Sequence, residues 1–227
     1  MFADRSEAGR ALAALLTGYA SRPDVVVLAL PRGGVPVGFE VARSLDVPLD
    51  VFVVRKLGFP GHEELAMGAL ATGGTIVLNE PMRAAAGVDD EALRGVVAAE
   101  LRELDRRERA YRGGRPPLDV ADGIAILVDD GVATGATMTA ALRALRERGA
   151  ARLVAATPVG SPSSLTAISA LADEVVCVSR PADFAAVGRF YADFGQTTDD
   201  QVRDLLTRAS HRGAPEAHRL RRPPGPG

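Results

Sequence analysis

The sequence predicts an α/β fold, a mostly parallel sheet flanked by helices, and three observations carry that expectation. Short, continuous apolar runs such as Val25-Val26-Val27-Leu28-Ala29-Leu30 have the pattern of strands buried on both faces. Segments with apolar residues at helical spacing follow them in alternation, as parallel strands with crossover helices require. Gly- and Pro-rich breaks such as Pro31-Arg32-Gly33-Gly34 separate the two kinds of segment. At 227 residues, the chain has room for one large α/β domain or two small ones.

Taken in order, the chain opens with an amphipathic helix that includes Ala11-Leu12-Ala13-Ala14-Leu15-Leu16. This run is short for a secretory signal, and Asp4 and Glu7 stand where a basic flank belongs, so a cytoplasmic location is expected. After the strand at 25–30, a helix is predicted over about 35–45 and a second strand over 49–54, which runs into Arg55-Lys56. The Gly and Pro content of 57–64 predicts a mobile loop, and 66–70 with 75–78 predicts a hairpin turning at Gly73-Gly74. Leu93, Val97, Leu101 and Leu104 mark one stripe of a long helix over 89–112, stopped by Gly113-Gly114-Arg115-Pro116-Pro117. Its acid-first pairs Glu103–Arg107, Asp105–Arg109 and Glu108–Arg112 read as a solvated face. Strands at 124–128, 153–157 and around Cys177 then alternate with helices near 136–148, 163–171 and 198–209. Beyond about 211, Arg, Pro and Gly dominate without apolar periodicity, which predicts a disordered tail over 211–227.

Composition excludes several function classes. A formal net charge of −2 gives bulk electrostatics no role in binding nucleic acid or a membrane surface. Aromatic residues are 4% and Trp is absent, so no stacking platform for single-stranded nucleic acid is expected. The single cysteine, Cys177, excludes an intrachain disulfide framework and reads as an inert thiol in a buried strand. His62, His211 and His218 show no metal-ligand spacing, and no apolar run approaches the length of a membrane-spanning helix.

The chemistry concentrates in Ile126-Leu127-Val128-Asp129-Asp130-Gly131-Val132-Ala133-Thr134-Gly135-Ala136-Thr137. An apolar strand ends in two carboxylates at a strand's carboxyl end, where open α/β sheets bind ligands. Those carboxylates can accept hydrogen bonds from sugar hydroxyls or hold a hydrated cation. The small loop that follows can turn its N–H groups, backed by a helix N-terminus, toward a phosphate. No Lys follows Gly135, so the segment is not a Walker A loop. An acidic pair this late in the chain, followed by a Gly/Thr loop, also differs from a response-regulator pocket.

This segment resembles the signature of the type I phosphoribosyltransferase family: four apolar residues, two acids, then a small Thr/Gly loop. The resemblance extends over about 25–179 and implies that family's fold, with a small hood over the sheet edge. It implies one domain over 1–210, with a helical and hairpin insertion at about 62–117. By the resemblance, Asp129 and Asp130 bind the ribose hydroxyls of 5-phosphoribosyl-1-pyrophosphate (PRPP) and serve Mg2+ through water or those hydroxyls. Ala133, Thr134, Gly135, Ala136 and Thr137 then cradle the 5-phosphate. Arg32-Gly33-Gly34 falls where the family places its pyrophosphate loop, which often holds a non-proline cis peptide. A dinucleotide fingerprint fits those glycines poorly, since Gly33, Gly34 and Gly38 are not spaced G-x-G-x-x-G and the next strand ends in bases. Arg55-Lys56 and the loop after it resemble the family's catalytic flexible loop, with a basic pair capping a strand end on the surface as the lesser alternative. Arg32, Arg55 and Lys56 are thus the expected catalytic residues.

The implied reaction displaces pyrophosphate from the ribose by a nitrogen acceptor, and the family allows a homodimer. Ala133 stands where hypoxanthine/guanine enzymes carry an acid, so the phosphate loop looks more like that of adenine phosphoribosyltransferases. Those enzymes also place a Glu-Tyr-Gly near the base, where this chain has Ala66-Met67-Gly68 without an acid; Glu63 and Glu64 are nearby acids that could substitute, but each reads better as an ordinary loop charge. Phe184, Phe190, Tyr191 and Phe194 form the densest aromatic cluster, a candidate stacking surface for the acceptor or a local core. A non-catalytic protein of the same fold, sensing PRPP or a nucleotide, is the alternative function.

Overall fold

The computed structural model describes residues 1–212, without the side chains of Glu63, Glu64, His211 and Arg212. The main sheet is five-stranded and wholly parallel, in the order β2-β1-β6-β7-β8. Helix α1 (Arg5–Ala14) precedes β1 (Val25–Ala29), α2 (Gly34–Leu45) and β2 (Leu49–Val51). The sheet resumes after a long excursion with β6 (Ile124–Val128), α5 (Ala136–Glu147), β7 (Arg152–Val159), α6 (Pro162–Ser169) and β8 (Glu174–Ser179). Helix α7 (Asp199–Arg212) closes the described chain. His211 and Arg212 belong to α7, and the rest of the expected disordered tail lies outside the described residues.

Strand periodicity sorts the apolar residues into two cores. Val25, Val27, Ile124 and Ile126 face α1 and α2, packing with Leu12, Val37 and Val41. Val26, Leu28, Ala125 and Leu127 face the opposite way, against Met138, Leu142 and Leu145 of α5. Burial on both faces explains why these strands read as continuous apolar runs.

The excursion forms a second sheet, antiparallel, of β3 (Val54–Phe59), β4 (His62–Ala71) and β5 (Thr75–Leu78). It continues into α3 (Glu80–Ala85) and the long α4 (Asp90–Arg112). Two expectations change here. The strand predicted over 49–54 is two strands in different sheets. The Phe52 N–H makes a bond to the main sheet at Ala29, and the next N–H, Val53, donates to Thr72 Oγ1 in the turn between β4 and β5 of the small sheet. Residues 57–64, expected as a loop, form a hairpin instead. Leu57 and Phe59 bury against Met67 and Leu70, while Gly58 sits at a bulge in β3 and Pro60 and Gly61 form the tip, where Gly61 takes φ 78°. The predicted hairpin at Gly73-Gly74 is present as β4–β5.

Helix α4 covers the small sheet, and α7 packs between α4, α2 and β2, the shared core including Leu104 and Tyr111 of α4 and Val202 and Leu206 of α7. Strand β8 is an edge strand, so Cys177 is only partly buried, not enclosed as its apolar neighbours suggest. No helix among the described residues is long and apolar enough to cross a membrane.

Candidate functional site

Strand β6 lies at the centre of the parallel sheet, and Asp129 and Asp130 emerge from its carboxyl end. Strand β1 ends beside it, its exit pinned by a bond from the Leu30 N–H to the Val128 carbonyl, 2.8 Å. The chain then passes through a cis peptide between Pro31 and Arg32 into α2. This brings Gly33 and Gly34 directly against the acid pair. A Cβ on Gly33 would collide with the Asp130 carboxylate, and one on Gly34 would lie 2.7 Å from the Val128 carbonyl. Glycine is the residue that permits such an approach.

Asp129 Oδ1 accepts the N–H of Asp130 at 2.8 Å, and Arg5 Nε donates to Asp130 Oδ2 at 2.8 Å. Burial, then the neighbouring Asp130 charge, pushes the Asp129 carboxyl well above its ordinary value. Burial also raises Asp130, against the opposing pull of the Arg5 guanidinium. Two adjacent, partly desolvated carboxylates call for a cation or for hydroxyl donors, so the donor set fits Mg2+ with a ribose. Among the described residues, no group of three or more His, Cys, Asp or Glu is arranged to hold a metal. A cation here would therefore complete its shell with ligand oxygens and water, as Mg2+ commonly does.

The loop after the acids is braced from below. The Val132 N–H bonds the Val159 carbonyl, and the hydroxyls of Ser161 and Ser164 both donate to the Ala133 carbonyl, at 2.9 and 2.6 Å. Gly135 takes φ 74°, a left-handed turn that suits glycine, and caps α5 without a side-chain hydrogen bond. The first N–H groups of α5 thus lack a capping side chain, apart from a long 3.5 Å contact of the Ala136 N–H with Thr134 Oγ1. Ala133, Thr134, Ala136 and Thr137 are exposed at this helix start, where an anion is favoured by the backbone donors and dipole.

Over the site lies the hood, residues 180–197, held to the N-terminus by backbone bonds between Phe2, Phe190 and Ala192. The aromatic residues here mostly pack on one another. Phe184 stacks on Phe190 with ring centroids 5.5 Å apart, and Tyr191 lies against Phe2 and Phe194. The buried Tyr191 hydroxyl donates to the Asp130 carbonyl at 2.5 Å, and its pKa is raised, chiefly by burial. Phe194 is exposed, with the Arg5 guanidinium 4.0 Å from its ring centroid.

The basic residues are more dispersed. Arg32 is exposed, 3.5 Å from the Asp199 carboxylate at the start of α7, which also accepts the Tyr111 hydroxyl. Arg55 and Lys56 are successive residues of β3 and point to opposite faces. Arg55 pairs with Glu100 of α4 at 2.7 Å, while Lys56 is exposed. Sequence reasoning overlooked Arg5 and Asp199. Arg5 stands 125 residues from Asp130, and nothing in the local pattern of α1 signals the pairing.

Comparison with known proteins agrees with this geometry. A family model described as phosphoribosyl transferase domain matches residues 4–194. Two Mycobacterium tuberculosis proteins (strains CDC 1551 / Oshkosh and H37Rv), named provisionally as phosphoribosyl transferases, are each 48% identical to the chain over 217 residues. The match covers 96% of this chain and 48% of theirs, so the chain spans about half the length of these curated relatives. The crystal structure of TT1426 from Thermus thermophilus is 45% identical with a TM-score of 0.81, covering 91% of this chain and 98% of that one. Fold and site together define an α/β protein with an acid pair and an anion-ready loop at the sheet's carboxyl edge. The chain belongs to the type I phosphoribosyltransferase family.

Proposed function

We propose that this chain transfers ribose 5-phosphate from PRPP to a nitrogen acceptor, releasing pyrophosphate. The observation that carries the reading is the Asp129–Asp130 pair beside the open start of α5, two complementary half-sites one loop apart. On this reading Asp129 and Asp130 accept the ribose hydroxyls, and Ala133 to Thr137 bind the 5-phosphate through backbone N–H groups and the Thr134 and Thr137 hydroxyls. Gly33 and Gly34 let the β1–α2 turn close directly on the acids, and Arg32 on that turn offsets the charge of the pyrophosphate. Mg2+, served by Asp129 and Asp130 through water and ribose oxygens, supplies further charge neutralisation for the leaving group. The chain's work is positioning and charge stabilisation, with no covalent intermediate. Lys56, exposed on the hairpin, is better placed than Arg55 to reach a ligand, because Arg55 is engaged by Glu100. Residues 1–210 act as one unit, with 62–117 as its insertion.

The acceptor is a planar nitrogen base, and an exposed Phe194 ring offers it a stacking surface. Phe184 and Tyr191 contribute by shaping the hood. A second reading, a PRPP or nucleotide sensor, is favoured by one observation: Arg55 is tied to α4 and not presented to the site. Calorimetry with PRPP and Mg2+ tests the common part. Binding is expected in the native protein and lost in Asp129→Asn/Asp130→Asn; unchanged binding in that variant rules out the site. Pyrophosphate release across a panel of purine, pyrimidine and amide acceptors separates transferase from sensor.

A further inference from the structure

One guanidinium, that of Arg5, touches both halves of the site, the acid pair and the hood. Its Nε donates to Asp130 Oδ2 at 2.8 Å, its Nη1 donates to the Gly195 carbonyl at 2.7 Å, and its Cζ lies over the Phe194 ring, 4.0 Å from the centroid. A planar fork can serve a carboxylate and a carbonyl at once while stacking its face on an aromatic ring, and a lysine cannot.

The anchor is rigid. Arg5 is the first residue of α1, whose N-cap Asp4 accepts the Glu7 N–H at 2.8 Å and whose Ala8 and Leu12 are fully buried. The hood meets the same loop at two more points. Tyr191 donates its hydroxyl to the Asp130 carbonyl, and Val187 lies so close over Gly131 that any Cβ there would collide with it.

We propose that Arg5 is a positioning residue that couples occupancy of the acid pair to the hold of the hood over the site. The inference rests on the reading that Asp130 accepts ribose hydroxyls. Arg5 uses Oδ2 of Asp130, so a hydroxyl donating to Oδ1 fixes the carboxylate without displacing the guanidinium. A carboxylate fixed by ligand keeps Arg5 in register with Gly195 and Phe194. By reciprocity, a hood released from Arg5 weakens sugar binding. The sugar half of the site thereby prepares the acceptor half.

Hydrogen exchange of the hood peptides over 183–197 tests this, measured with and without PRPP and Mg2+ in the native protein, Arg5→Gln and Arg5→Lys, beside calorimetry. In the native protein, ligand should slow exchange over 187–195. Arg5→Gln should still bind PRPP, several-fold more weakly, but show no ligand-induced slowing, and Arg5→Lys should recover part of it. Equal slowing in Arg5→Gln and the native protein overturns the coupling, as does binding by the native protein without any slowing. If the native protein gives no binding heat, the PRPP reading fails, and the ligand-free samples judge Arg5 alone. Hood exchange faster by on the order of tenfold in Arg5→Gln, with Arg5→Lys between, supports its hold on the hood, and unchanged exchange overturns it. Should Arg5→Gln fail to fold, Phe194→Leu removes the stacking ring, leaves the Arg5–Asp130 pair in place, and is expected to lose part of the same slowing.

Discussion

Arg112 of α4 and Asp50 of β2 form an ion pair at 2.9 Å, with side chains only 4% and 8% exposed. Asp50 also accepts the N–H groups of Val51 and Leu118, and Arg112 also donates to the Val51 carbonyl and pairs with Glu108. This cluster fastens the long helix of the excursion to the edge of the main sheet. Removing Asp50 leaves the buried Arg112 with Glu108 as its one carboxylate and takes the acceptor from the Leu118 N–H, and breaking a buried pair in this way costs up to about 3–5 kcal/mol. Asp50→Ala should therefore lose stability of that order in urea unfolding. A loss below about 1 kcal/mol, the scale of an exposed pair, would show that the cluster is solvated.

Gly33→Ala probes the packing of the β1–α2 turn against the acids. The new methyl group meets the Asp130 carboxylate, so the turn or the carboxylate must move. The variant should stay folded, since Gly33 caps α2 with an ordinary right-handed backbone that alanine adopts. PRPP affinity should fall roughly tenfold or more, a loss of about 1.4 kcal/mol. Native affinity in a folded Gly33→Ala variant would separate this turn from the ligand site.

Cys177 should be a slow thiol. Partial burial on β8 raises its pKa, and its Sγ lies 3.1 Å from the Ser179 carbonyl. Less thiolate at pH 8 means slower alkylation, on the order of tenfold below a free thiol such as glutathione. Iodoacetamide kinetics followed by mass spectrometry would show this, and a rate equal to glutathione would contradict it.

Glu103 sets an acid-range signature on α4. Hydrogen bonds from Arg106 and then Arg107 hold its carboxyl at about 2, below the ordinary 4.5. A depressed carboxyl contributes stability that is fully present above its unfolded value and is lost as the pH falls through the folded one. The melting-temperature gap between the native protein and Glu103→Gln should thus be constant above about pH 5 and close between 4.5 and about 2. A gap that is independent of pH would mean that the ion pairs are not formed in solution.

Much of the sheet was legible because its strands are buried on both faces and announce themselves as apolar runs. Val25–Ala29 and Ile124–Val128 lie within one residue of where the pattern put them. The acid pair and the loop to Thr137 were legible for a related reason. Strand end, loop and helix start are contiguous in the chain, so their chemistry is written in consecutive residues. The hairpin at 57–64 was misread because its Gly and Pro residues mark only the tip and a bulge, while the alternation of Leu57 and Phe59 is too short to outweigh them. The strand break after Val51 was invisible, since Thr72, which takes over the Val53 N–H, is distant in sequence.

The local half of this protein is written in its chain: the parallel α/β frame, the carboxylates at a strand end, and the loop that feeds a helix N-terminus. Each of these depends on periodicity or on neighbours a few residues apart. The long-range partners that those groups meet came from the packed fold alone. Packing placed Arg5 on Asp130, Asp199 near Arg32, and Glu100 on Arg55, and it turned Tyr191 inward to the Asp130 carbonyl. Ion pairs and hydrogen bonds between distant segments depend on how helices and hood come together. That arrangement is set by burial summed over the whole chain, so no single stretch of residues records it.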